Sequence, residues 1–191
     1  MALRKCGLPR HAGLASRLKR MGVRPGIWMR PLLTHEPGTE VWVLKRPQFA
    51  DRQGRVLDPT IPEVRERIRN DVAGLAAWGY QLVKHDFSTY DLFGRWGYRM
   101  DAALTDDGWA FNDRSRTTAE VVRDVYQAIR DGAGEHTIVI GCNTIGHLGA
   151  GLFELQRTGD DTSGKEWNRT RRRGREHTCL SQCAACELLC C

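Results

Sequence analysis

Two acidic positions in the chain stand beside a basic residue in a pattern that chemistry can use. Asp86 sits in the run Lys84-His85-Asp86-Phe87. Strand alternation puts Lys84 and Asp86 on one side and Val83 and Phe87 on the other. A lysine beside a carboxylate keeps it ionised, which suits a nucleophile; an ordinary Lys–Asp ion pair at a strand end is the plainer alternative. Asp160 and Asp161 follow Arg157. Adjacent carboxylates leaving one strand end cannot both point into one site, so one of them faces outward. For Asp160 an N-cap role is the alternative. Two carboxylates from different strands, one ionised and one protonated, are the minimum equipment for glycoside hydrolysis, and in retaining enzymes they lie about 5 to 5.5 Å apart.

Such residues need elements to carry them, and the hydrophobic pattern supplies these in alternation. Leu14, Leu18 and Met21, closed by Gly22, predict a helix, and Arg24 to Leu33, entered through Pro25-Gly26, predicts a short strand. Thr60-Ile61-Pro62-Glu63 has capping-box spacing, and Val64, Ile68, Val72 and Leu75 follow at helical intervals until Gly79. Tyr80 to Phe87 then reads as a strand. Thr117 to Glu120 repeats the cap, Val122, Val125, Tyr126 and Ile129 share a face, and the strands His136 to Cys142 and Leu152 to Arg157 follow. Helix and strand in this order argue for parallel strands joined by helical crossovers.

Polar residues collect where each strand ends: Arg30; Lys84 and Asp86; Cys142 and Asn143; Arg157 and Asp161. In parallel α/β folds that edge is where chemistry is done.

The 191 residues, 41% of them hydrophobic, suffice for one domain with a real core. No run approaches the roughly 18 apolar residues of a membrane span, and no apolar stretch follows the first basic residues as in a secretory signal. A cytoplasmic protein without a membrane partner is expected. The formal charge is +6, yet five arginines against two glutamates fall from Arg169 onward, so the body is only mildly basic. Cysteines are skewed likewise. Cys6 and Cys142 stand alone, and the other five crowd the end from Cys179, which is no disulfide framework and fits a reducing compartment.

GVRPGIWMRPLL (22–33), LDPTIPEVRERI (57–68), WGYQLVKHDF (78–87) and GLFELQRTGDDTSGKEW (151–167) resemble, in order, segments of the α-galactosidase (melibiase) superfamily, glycoside hydrolase families 27 and 36. The resemblance spans about residues 12 to 173. It implies an α/β fold, a partial (β/α)8 TIM barrel of about four parallel strands, similar to barrel strands 3 to 6. It implies a retaining hydrolase of terminal α-galactosides that needs no metal and no cofactor. By the same resemblance Asp86 is the nucleophile and Asp161, four positions after Arg157, the acid/base. Asp160 stays open as the alternative acid. Lys84, Arg157, Cys142, Asn143 and Trp28 are then substrate-binding candidates for an α-linked galactoside or related oligosaccharide, although a tryptophan on a barrel strand can equally be layer packing.

The sequence also departs from that family. Counterparts of strands 1, 2, 7 and 8 are not found, and Asp106-Asp107-Gly108-Trp109 lies after Asp86, so it cannot stand for the family's similar motif before PGIW. The expected organisation is a partial catalytic barrel over 1–174 and a Cys-rich tail over 175–191 that reads as out of frame, with little activity from the chain alone. Two non-enzymatic alternatives use the tail. His177, Cys179, Cys183 and Cys186 could hold zinc, but the two pairs are closer than a zinc loop allows. Arg169 to Arg175 could bind nucleic acid, but no aromatics accompany it for stacking. Neither zinc nor nucleic acid is the expected partner.

Overall fold

The computed structural model describes residues 8–45, 54–94, 109–142, 144–157, 165–168 and 170–172. The chain divides into two compact units, Met1–Gln156 and Arg157–Cys191. In the first, the elements run α1 (Leu8–Arg20), β1 (Gly26–Met29), β2 (Leu33–Thr34), β3 (Arg55–Val56), α2 (Pro62–Ala77), β4 (Leu82–His85), α3 (Ser88–Phe93), α4 (Thr118–Ala133), β5 (Ile138–Gly141) and β6 (Leu155–Gln156). In the second, residues 167, 168 and 170–172 are helical, and the Thr170 amide donates to the Glu166 carbonyl over 3.1 Å.

β1, β4, β5 and β6 form one sheet in that order, every pairing parallel. The expected strands are therefore present, with the first and last at the outside. Register sets Trp28 beside Lys84, Lys84 beside Ile140, and Ile140 beside Leu155. This row shares one face of the sheet, where Trp28 and Leu155 are both half-exposed. The other face carries Val83, His85 and Val139, each with no exposed surface, and the helices cover it.

α2 buries Val64, Ile68, Val72 and Leu75, the stripe its spacing predicted. α4 buries Val122, Val125, Tyr126 and Ile129 and starts with the expected capping box: the Glu120 amide donates to Thr117 Oγ1, and the Thr117 amide donates to Glu120 Oε2 over 2.7 Å. The two helices approach closely at Gly132, where a Cβ would overlap the Arg69 carbonyl oxygen.

Three local expectations are corrected. Thr60 does not cap α2. Its amide and hydroxyl both donate to Asp58 Oδ1, at 2.9 and 2.7 Å, and the N-cap is Ile61 ahead of Pro62. Arg24 to Leu33 is not one strand, because Pro31 has no amide to continue a ladder. β1 stops at Met29, and Leu33–Thr34 pairs antiparallel with Arg55–Val56 in a separate ribbon. The apolar stripe of α1 is only partly covered: Leu18 is half-buried, Leu14 is 48% exposed and Met21, just past the helix, 75% exposed, while Ala15 is buried. His11, stacked on Trp78 with centroids 5.5 Å apart and bonded to the Tyr80 hydroxyl at 3.1 Å, anchors this helix instead.

Candidate active site

Asp86 leaves β4 one residue beyond His85, at the C-terminal edge of the sheet. Its amide donates to the Met29 carbonyl over 3.0 Å, and the Cys142 amide donates to the His85 carbonyl over 3.0 Å, so the ends of β1, β4 and β5 are level. The Asp86 side chain is nearly buried, 6% exposed, and both oxygens accept hydrogen bonds. Trp28 Nε1 donates to Oδ2 over 3.0 Å, and the Phe87 amide donates to Oδ1 over 2.7 Å. Hydrogen bonds of this kind favour the ionised form.

Alternation does not continue past Asp86. Phe87 takes a left-handed conformation, φ 65°, and is the sole non-glycine residue with positive φ among the described residues. Its ring consequently lies edge-on to Trp28 at 6.4 Å, on the side of the site rather than opposite it. The residue that does share the Val83 side is His85, fully buried against Tyr126 and Phe153 with centroids 5.7 and 4.7 Å away. Burial pushes its imidazole down to about 3, against the opposing pull of the Asp86 charge, so it is neutral at physiological pH.

Arg30, one residue after β1, forms a fork with Asp91 of α3. Its Nη2 lies 2.6 Å from Asp91 Oδ1, and Nε donates to Oδ1 and Oδ2 at 3.1 and 3.0 Å. The Arg30 side chain is 8% exposed and that of Asp91 not at all. The guanidinium also sits 4.4 Å from the centroid of the Phe87 ring.

Lys84 lies half-buried in the β4 position beside Trp28. Cys142 is fully buried at the end of β5. Arg157 directly follows β6 and begins the second unit. Asn143, Asp160 and Asp161 lie outside the described residues, as do His177, Cys179, Cys183 and Cys186 and the whole span 175–191. Among the described residues no three His, Cys, Asp or Glu side chains gather as metal ligands would. Nor is any described helix long and apolar enough to cross a membrane.

Sequence reasoning placed Trp28 last among the candidates, yet its indole N–H bonds the Asp86 carboxylate directly. It missed Arg30–Asp91 altogether. Residues 61 positions apart leave no local pattern, and the one available signal was an arginine at the end of a strand neighbouring the Asp86 strand.

A parallel sheet with helices on one face, and polar side chains at its C-terminal edge, is the architecture of part of a TIM barrel. The solved structures that resemble it are of that kind. The α-galactosidase of Thermus thermophilus in complex with stachyose superposes with a TM-score of 0.60 at 26% identity, over 80% of this chain and 32% of the other. The isomalto-dextranase of Arthrobacter globiformis T6 complexed with panose gives 0.59 at 18% identity, over 83% of this chain and 29% of the other. The glycoside hydrolase domain of PelA from Pseudomonas aeruginosa gives 0.54 at 13% identity, over 90% and 68%. The chain thus spans about a third of the length of the α-galactosidase, 32%. No protein-family model and no curated protein matches the sequence.

Proposed function

We propose that this chain carries the nucleophile side of an α-galactosidase-like, retaining glycoside hydrolase. The observation that supports it is Asp86, nearly buried at the C-terminal strand edge and held through both oxygens by Trp28 and the Phe87 amide. The likeness to a Thermus thermophilus α-galactosidase, solved with stachyose, supports the sugar class. In the first step an Asp86 oxygen attacks the anomeric carbon as the bond to the leaving oxygen breaks, and Asp161 gives that oxygen its proton. In the second, Asp161 takes a proton from water, the water oxygen attacks the anomeric carbon, and the bond to Asp86 breaks. Lys84, Arg157, Trp28, Cys142 and Asn143 are proposed to meet sugar hydroxyls, with Asp160 the alternative acid. The scarcity of cysteine before residue 178 supports a reducing, cytoplasmic setting.

Because four strands make only part of a barrel wall, turnover by this chain alone is expected to be low. The test is therefore covalent. A galactose-configured ring epoxide should label the chain once, on the peptide holding Asp86, with galactose protecting it. Labelling that persists in Asp86→Asn, or falls on another residue, would overturn the assignment.

A further inference from the structure

We propose that the buried Arg30–Asp91 pair is a positioning device for the Asp86 carboxylate, acting through the left-handed Phe87. The reading of Asp86 as a nucleophile gives this device its purpose, but the geometry is independent of that reading. The chain must pass from the end of β4 into α3 within two residues. It does so by placing Phe87 at φ 65° and ψ 0°, a region that a bulky L-residue disfavours and holds only where its surroundings require it. At the start of this turn the Phe87 amide donates to Asp86 Oδ1 at 2.7 Å, so holding Phe87 in place holds that donor.

Two tethers hold Phe87 there, and both run through Asp91. The Asp91 amide donates to the Phe87 carbonyl over 2.7 Å. The Asp91 carboxylate fixes Arg30 in a two-pronged fork, and the flat guanidinium lies against the Phe87 ring, 4.4 Å from its centroid. Ring edges of Trp28 and Tyr90 close on the same ring, with centroids at 6.4 and 6.1 Å. β1 and the residue after it therefore serve Asp86 twice. Trp28 bonds one oxygen directly, and Arg30, two residues on, holds the residue that bonds the other.

An alternative role, merely fastening α3 to the sheet, predicts a loss of stability and nothing more. The positioning role predicts a local change at two protons, those of the residue 87 amide and the Trp28 indole, which both meet the carboxylate. Two variants of the full chain separate them. Arg30→Lys keeps the charge opposite Asp91 but loses the fork and the flat face over Phe87. The double variant Arg30→Met with Asp91→Leu removes both charges together, so that neither member of this pair is left as a buried charge without the other. By ¹H–¹⁵N NMR, hydrogen exchange at the residue 87 amide should quicken roughly tenfold or more in either variant, the scale of one lost charge-assisted hydrogen bond, and its downfield shift should collapse. In a Phe87→Gly background, where a left-handed backbone needs no support, adding Arg30→Lys should leave that amide unchanged.

Folded variants in which both proton resonances and their exchange match the parent would overturn the proposal. So would an Arg30→Lys effect of the same size in the Phe87→Gly background. Labelling by the galactose epoxide keeps the two readings apart. If the parent chain is not labelled at Asp86 yet the amide responds as described, positioning stands and the nucleophile reading fails. If the parent is labelled and Arg30→Lys is labelled equally fast, positioning fails and the nucleophile reading stands.

Discussion

Trp28 and Asp86, 58 residues apart in sequence, meet where two parallel strands end side by side, the indole N–H donating to the carboxylate over 3.0 Å. Because Trp28 is half-exposed and Asp86 nearly buried, the contact lies at the boundary between the open face of the sheet and its packed end. Trp28→Phe keeps a ring against Phe87 and deletes only the donor. It should cost about 1 to 2 kcal/mol of stability in urea titration and slow labelling of Asp86 roughly tenfold. Unchanged labelling would show that this bond does not prepare the carboxylate.

Asp58 ties the entry of α2 to the segment before α4. Its Oδ1 accepts from the Thr60 amide and hydroxyl, its Oδ2 accepts from the Asn112 amide at 2.7 Å, and the carboxylate is 2% exposed. Asp58→Ala strands these donors and should cost about 3 kcal/mol in urea titration. Asp58→Asn, which keeps one acceptor oxygen, should cost less.

Gly132 lies inside α4, where alanine ordinarily gains about 1 kcal/mol of helix propensity. Here the sign reverses, since the added Cβ would overlap the Arg69 carbonyl oxygen and meet Val72 Cβ at 2.9 Å. Gly132→Ala should destabilise the chain by about 1 to 3 kcal/mol, read from thermal or urea unfolding.

A half-buried carboxyl, Asp71, and a buried imidazole, His85, should oppose one another in the acid range. Burial raises Asp71 from 3.8 to about 6, outweighing the nearby Arg67 charge, so its contribution to stability is full below about 4 and is lost as pH rises through about 6. Burial lowers His85 from 6.5 to about 3, so its contribution is full above about 6.5 and is lost as pH falls towards 3. Near pH 5 the slopes have opposite signs, each at most about 1.4 kcal/mol per pH unit, and largely cancel. Asp71→Asn should therefore expose a loss of stability on acidification from about pH 6 to 4.5, and His85→Leu should expose the reverse. Urea midpoints across that window decide it, and a flat profile in Asp71→Asn would contradict the His85 assignment.

Local sequence determined the elements because their causes are local. Val64, Ile68, Val72 and Leu75 must share a helical face whatever they pack against, and Thr117 and Glu120 can close a capping box within one turn. The same local logic failed where a distant group competed. Asp58 took the Thr60 hydroxyl from the helix end, and Pro31 broke a run whose composition alone suggested one strand. For α1, the apolar spacing did not choose the buried face; contacts of His11 with Trp78 and Tyr80, far along the chain, did.

The places of Asp86 and Lys84 at a strand end were legible because they close a recognisable β-rich run two residues apart. What surrounds the Asp86 carboxylate was decided only by tertiary structure. Parallel pairing of β1 with β4 brings Trp28 onto Asp86, a contact that strand order and register create and that neither segment encodes alone. The left-handed turn at Phe87 violates the preference of its own residue type, so no propensity could announce it; Trp28 and Arg30, brought from the end of β1, enclose it together with Tyr90 and Asp91 of the helix that follows.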